Sequence, residues 1–105
     1  MKLHRPLSER QERLSERALF EAILTLRDPD ECRRFFADLC TPTELQAMAD
    51  RWTVVRSLLR GDPYREIQRA TGVSVATITR VARCLRDGAG GYALAVERAI
   101  EAKHG

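Results

Sequence analysis

The sequence predicts an all-α fold of six helices, and three observations carry that reading. Apolar residues recur at spacings of three and four, the period of a helix rather than of a strand. Residues that cap helix N-termini stand just ahead of five such runs: Ser8, Asp28, Thr41, Asp62 and Ser74. Proline or glycine marks the junctions, at Pro29, Pro42, Gly61-Asp62-Pro63, Gly72 and Gly88-Ala89-Gly90-Gly91.

Ser8 is read as the cap of a first helix that starts at Glu9 and carries Leu14, Ala18, Ile23 and Leu26 on its apolar side. The first ten residues are expected to be mobile, leaving one helical domain over residues 11–105. Asp28-Pro29 reads as a cap followed by proline at the first helical position. Asp30 and Glu31 stand in the first turn, where they complement the helix dipole. Phe35, Phe36 and Leu39 supply the apolar side of that second helix. Thr41-Pro42-Thr43-Glu44 has the form of a capping box. Behind it, Leu45, Met48, Trp52, Val55 and Leu59 form one stripe that predicts a third helix facing a partner. Gly61 ends that helix as a left-handed residue.

Asp62 and Pro63 then read as a second cap and first-position pair, opening a short helix to about Ala70 with Ile67 buried. Gly72 ends it, and Ser74 caps a fifth helix running to about Arg86. Asp87 to Gly91 breaks the chain, and a sixth helix covers about Tyr92 to Lys103, with Leu94, Val96 and Ile100 as its apolar members. Helices this short rarely bury every apolar stripe within one chain. A dimer is therefore expected, with Phe35-Phe36 and Met48–Trp52 as candidate contacts; the alternative is an ordinary monomeric core.

Composition bounds the function. A chain of 105 residues, 44% hydrophobic and 31% charged, is a globular domain. No apolar run approaches the roughly 18 residues of a membrane span, and the charged N-terminus shows no secretory signal, so a cytoplasmic protein with no membrane partner is expected. Cys32, Cys40 and Cys84 are odd in number and lack metal-type or redox-type spacing. They read as small reduced core residues. His4 and His104 lie at opposite ends, which argues against a metal site. No nucleophile–base or carboxylate pairing stands out, so no enzyme is expected.

The net charge of +3 is unevenly placed. Residues 61–86 carry Arg65, Arg69, Arg80, Arg83 and Arg86 against Asp62 and Glu66, while the segments on either side nearly balance. A local basic patch is what a phosphate backbone requires. The same segment holds a short helix, a Gly72 turn with Val73 to plug it, and a helix with Ile78, Val81, Ala82 and Leu85 on one face. This is the pattern of a helix-turn-helix over about residues 63–86. Helical periodicity places Ala76, Thr79, Arg80 and Arg83 opposite the core, and Thr77, Arg80, Val81 and Cys84 on the flank between. Val75, Ala76 and Thr79 are small enough to let a helix approach base edges closely, and they suit thymine-methyl, hydroxyl and water-mediated contacts. Arg65 and Arg83 are better placed for phosphate.

The run TPTELQAMADRWTVVRSLLRGDPYREIQRATGVSVATITRVARCL closely resembles the tryptophan repressor family. The shared features are the TP-x-E helix start, the LLRG helix end, the following R-E-I and the ATITR sequence. The likeness spans about Leu19 to Ile100 and lies nearest the related branch with no assigned ligand, which shares RFF-x-DLCT and G-Y-x-L. It implies an intertwined all-helical homodimer on double-stranded DNA. The first three helices and the last would interlock, with two reading heads about one DNA turn, roughly 34 Å, apart.

Carried over position by position, the resemblance assigns DNA contacts to Arg65, Gln68, Val75, Ala76 and Thr79. Gln68 stands where the family repressor has Lys, and Val75 where it has Ile. It assigns a small-molecule pocket to Thr41, Arg51, Thr77, Arg80, Val81 and Cys84. Val81 takes the place of a glycine against which the corepressor ring packs, and Cys84 that of a serine that holds its amino group. These two departures argue against tryptophan control. No resident cofactor is expected; the resemblance leaves tryptophan or another small corepressor as the alternative. Two functions are carried forward: a DNA-binding regulator, most simply a repressor, and a helical protein-interaction dimer that has lost operator binding.

Overall fold

The computed structural model describes residues 8–104, with side chains through Ala99; His4, Ile100 and His104 fall outside the described side chains. The described residues form six α-helices and no strand: α1 (Glu9–Ile23), α2 (Pro29–Leu39), α3 (Pro42–Leu59), α4 (Tyr64–Thr71), α5 (Val75–Asp87) and α6 (Gly91–His104). The chain divides into two compact units, residues 1–41 and 42–105.

In the first unit, Ser8 caps α1 through a complete capping box. Its hydroxyl accepts from the Gln11 amide at 3.1 Å, and the Gln11 side chain accepts from the Ser8 amide at 3.0 Å. Of the segment expected to be mobile, residues 1–7 lie outside the described residues, and Ser8 to Arg10 are the cap and first turn of α1. The helix stops sooner than the apolar pattern predicts. The Thr25 hydroxyl donates to the Ala22 carbonyl at 2.6 Å, a local bond that competes with the helical ladder. Leu26 therefore lies in the turn and not on α1. Asp28 caps α2 as expected, accepting from the Glu31 amide at 2.8 Å with Pro29 behind it. Phe35 and Phe36 meet edge to face with ring centroids 5.4 Å apart. No residue of α1 or α2 is buried.

The second unit holds the core. Val54 and Val55 of α3, Ile67 of α4, Val73 of the turn, and Ile78 and Val81 of α5 are buried together. Trp52, Leu58, Leu85, Tyr92 and Val96 pack around them. Burying each such Val or Ile contributes roughly 1.5–3 kcal/mol. The aromatic pair Trp52 and Tyr92, 6.5 Å apart between centroids, joins α3 to α6.

The predicted α3 stripe is only in part the face that α4 and α5 cover. Val55 is buried and Leu45 and Trp52 are half-buried, but Met48 and Leu59 are exposed and the inward face includes Val54 and Ser57. Apolar residues surround the second half of α3, so spacing alone could not fix which arc α4 and α5 cover. Asp62 is not the cap of α4. Pro63 holds that position with no side-chain cap bond and α4 begins at Tyr64, because the Asp62 carboxylate is drawn to Arg60 at 3.0 Å. The three free cysteines, finally, are half-buried rather than core residues. On α6, Val96 packs inward as expected while Leu94 is exposed.

Candidate nucleic-acid interface

The α4–turn–α5 segment is built from local signals. Gly72 ends α4 with φ 73°, a left-handed conformation that costs a residue with Cβ about 1 kcal/mol or more. Its amide donates to the Gln68 carbonyl at 2.8 Å, which closes the helix. The Thr71 hydroxyl donates to the Ile67 carbonyl at 2.7 Å and accepts from the Val73 amide at 3.1 Å. Thr71 thereby turns the backbone so that Val73 enters the core. Ser74 then caps α5, accepting from the Thr77 amide at 3.2 Å, and its hydroxyl donates to the Thr77 hydroxyl at 3.1 Å. With Ile78 and Val81 fully buried against α3 and α4, the opposite side of α5 is fixed outward.

That outward side carries the residues the sequence singles out. Val75, Ala76 and Thr79 are exposed on the first two turns of α5, Val75 at 47%. Arg80 and Arg83 are exposed on the same helix, and Arg65 and Gln68 on α4. Ion pairing sorts the five arginines of this segment in a way the sequence does not. Arg69 is held by Glu66 at 2.6 Å, and Arg86 by Asp87 at 2.9 Å. Arg65, Arg80 and Arg83 have no carboxylate partner among the described residues. Within residues 61–86 the uncommitted positive charge therefore falls on those three, all exposed on the helix-turn-helix.

The positions assigned to a small-molecule pocket are less uniform. Thr77 and Cys84 are half-buried and Arg80 is exposed on α5, while Arg51 is half-buried on α3. Thr41 is exposed and belongs to the first unit. Val81 is only 1% exposed, its side chain committed to the core with Ile78 and Val54. Sequence reasoning missed one constellation beside this segment, the side chains of Ser57, Arg60 and Asp62. Asp62 reads as a cap in sequence, and only its distance to Arg60 reveals the other role.

Fold and segment together define a helix-turn-helix protein. Residues 15–100 match the Trp repressor protein family, and the chain belongs to it. It is 49% identical over 83 residues to the uncharacterized protein YerC of Bacillus subtilis, covering 79% of this chain and 80% of that one. A TrpR-like protein from Eubacterium eligens, known from its crystal structure, is 41% identical with a TM-score of 0.77, over 81% of this chain and 88% of that one. A Trp operon repressor homolog of Vibrio vulnificus is 46% identical over 43 residues, 40% of this chain and 42% of its own. Among the described residues no helix is long and apolar enough to cross a membrane.

Proposed function

We propose that this chain is a sequence-specific DNA-binding transcriptional regulator. It acts as a repressor and a homodimer in the cytoplasm, and it does no enzymatic chemistry. The observation that carries the reading is the outward face of α4 and α5. A row of small residues, Val75, Ala76 and Thr79, is flanked by Arg65, Arg80 and Arg83, the arginines of residues 61–86 that lack a carboxylate partner among the described residues. Small residues at the start of a recognition helix let its backbone reach base edges, and guanidinium groups beside it fix register on phosphate. Thr79 supplies a hydroxyl for a base edge, while Val75 and Ala76 offer methyl surface to thymine. Arg65, Gln68 and Arg83 hold the backbone.

In this reading tryptophan is not the corepressor. The buried Val81 side chain fills the side of α5 on which a ligand ring would have to lie, and Cys84 is a weak partner for an amino group. Micromolar binding of tryptophan in a calorimeter would contradict this. The DNA reading itself is tested by comparing two variants on a selected duplex and on random duplex. Arg65→Ala is expected to weaken both alike and to lower the salt slope by about 1. Thr79→Ala is expected to weaken the selected site far more than the random one. Equal losses for Thr79→Ala, or an unchanged slope for Arg65→Ala, would remove that residue from its role.

A further inference from the structure

The link between α3 and α4 is only a few residues long, yet it contains a closed set of polar contacts. Ser57, in the last turns of α3, is the one buried polar side chain among the described residues, at 4% exposure. Arg60 Nη2 donates both to Ser57 Oγ at 3.1 Å and to Asp62 Oδ2 at 3.0 Å. The Asp62 amide donates to the Ser57 carbonyl at 3.1 Å. Ser57 thus binds the turn twice, once through its backbone and once through its side chain. Gly61, at φ 82°, lets the chain reverse between the two charged residues. The helix that follows, α4, has lost the side-chain cap its sequence offers, because the Asp62 carboxylate is turned back toward Arg60.

We propose that Arg60 and Asp62, anchored on Ser57, form a clasp that sets the direction in which α4 leaves α3. The clasp thereby positions Arg65, three residues further on, for a DNA phosphate. The inference rests on the DNA-binding reading above. Asp62 is a positioning residue and touches no nucleic acid. An exposed ion pair contributes little to overall stability. Its effect is directional: among the conformations open to so short a link, it selects one, and a phosphate contact fixes register only from the right place.

The test uses a sign that electrostatics alone cannot give. Asp62→Ala removes a negative charge from beside a DNA-binding surface. Charge alone would tighten binding to every duplex. Loss of the clasp is expected instead to weaken binding to the selected duplex by about fivefold. It is also expected to make Arg65→Ala nearly silent in the Asp62→Ala background, since Arg65 would already be out of place. The exchanged pair Arg60→Asp with Asp62→Arg is expected to recover part of the loss. Binding by Asp62→Ala as tight as wild type or tighter, or an undiminished Arg65→Ala effect in that background, would overturn the clasp.

Hydrogen exchange on the full chain reads the clasp without DNA. In Asp62→Ala, exchange at the hydrogen-bonded amides of positions 61, 62 and 67 is expected to accelerate, while the amides of Val55 and Ile78 stay protected. Unchanged exchange at those three positions would likewise overturn the proposal. If wild-type protein selects no duplex, the DNA reading fails, and exchange alone then decides whether the clasp holds α4.

Discussion

The two units of this chain use apolar residues in opposite ways. In the second, α3, α4 and α5 bury Val54, Val55, Ile67, Ile78 and Val81 almost completely against one another. In the first, α1 and α2 are strongly patterned, yet none of their residues is buried, and Leu14, Phe20, Leu24 and Leu39 are each more than half exposed. The helix-turn-helix thus draws its order from its own chain. The amphipathic faces of α1 and α2 await apolar surface that a single chain does not give them. The homodimer proposed above supplies it, because a second copy presents the same faces. In the proposed homodimer a reading head and an assembly segment are separated along the sequence, and substitutions in the two units are expected to fail differently.

The largest effect is expected in the core of the reading head. Ile78→Ala removes a fully buried side chain and should cost about 2–5 kcal/mol, read as a lowered denaturant midpoint. A loss below about 1 kcal/mol would mean the second unit is not held together by this cluster. In the first unit, Phe20→Glu should leave the core of the second intact but weaken self-association by about 2 kcal/mol, near thirtyfold in Kd. Sedimentation of the variant as wild type would contradict the assembly role of α1. Thr79→Ala should cost about 1–3 kcal/mol at the one base pair it reads and leave folding unchanged. Competition between duplexes differing at single positions locates that pair. The smallest effect falls on the turn. Gly72→Ala should destabilise by about 1 kcal/mol through its backbone alone, since nothing lies within 4 Å of the Cβ it would add. A neutral result would show that the turn can adopt another path.

Much of this was legible in the sequence because it is local. Ser8, Asp28 and Ser74 cap their helices, and Gly61 and Gly72 turn left-handed, each through chemistry that spans three or four residues. The outward face of α5 was legible for a related reason. Ile78 and Val81 fix the inner side, and a period of 3.6 then places Ala76, Thr79 and Arg83 opposite. What escaped depends on contacts that spacing does not encode. The inward arc of α3 escaped because α3 is apolar on several sides, and only the docking of α4 and α5 selects Val54 and Ser57. Asp62 has the ideal character of a cap, but Arg60 competes for its carboxylate and wins. The commitment of Arg69 and Arg86 to neighbouring carboxylates likewise narrowed a five-arginine patch to three.

The most direct test of the central claim is a titration of genomic duplex fragments with the purified protein at two salt concentrations, with and without tryptophan. Selection of a shared palindromic site is expected in the absence of tryptophan, with affinity falling steeply as salt rises and no change when tryptophan is added. Selection that appears only with tryptophan would contradict the filled pocket at Val81. Absence of any selection, with weak retention that salt barely alters, would contradict the regulator itself and leave a helical interaction dimer in its place.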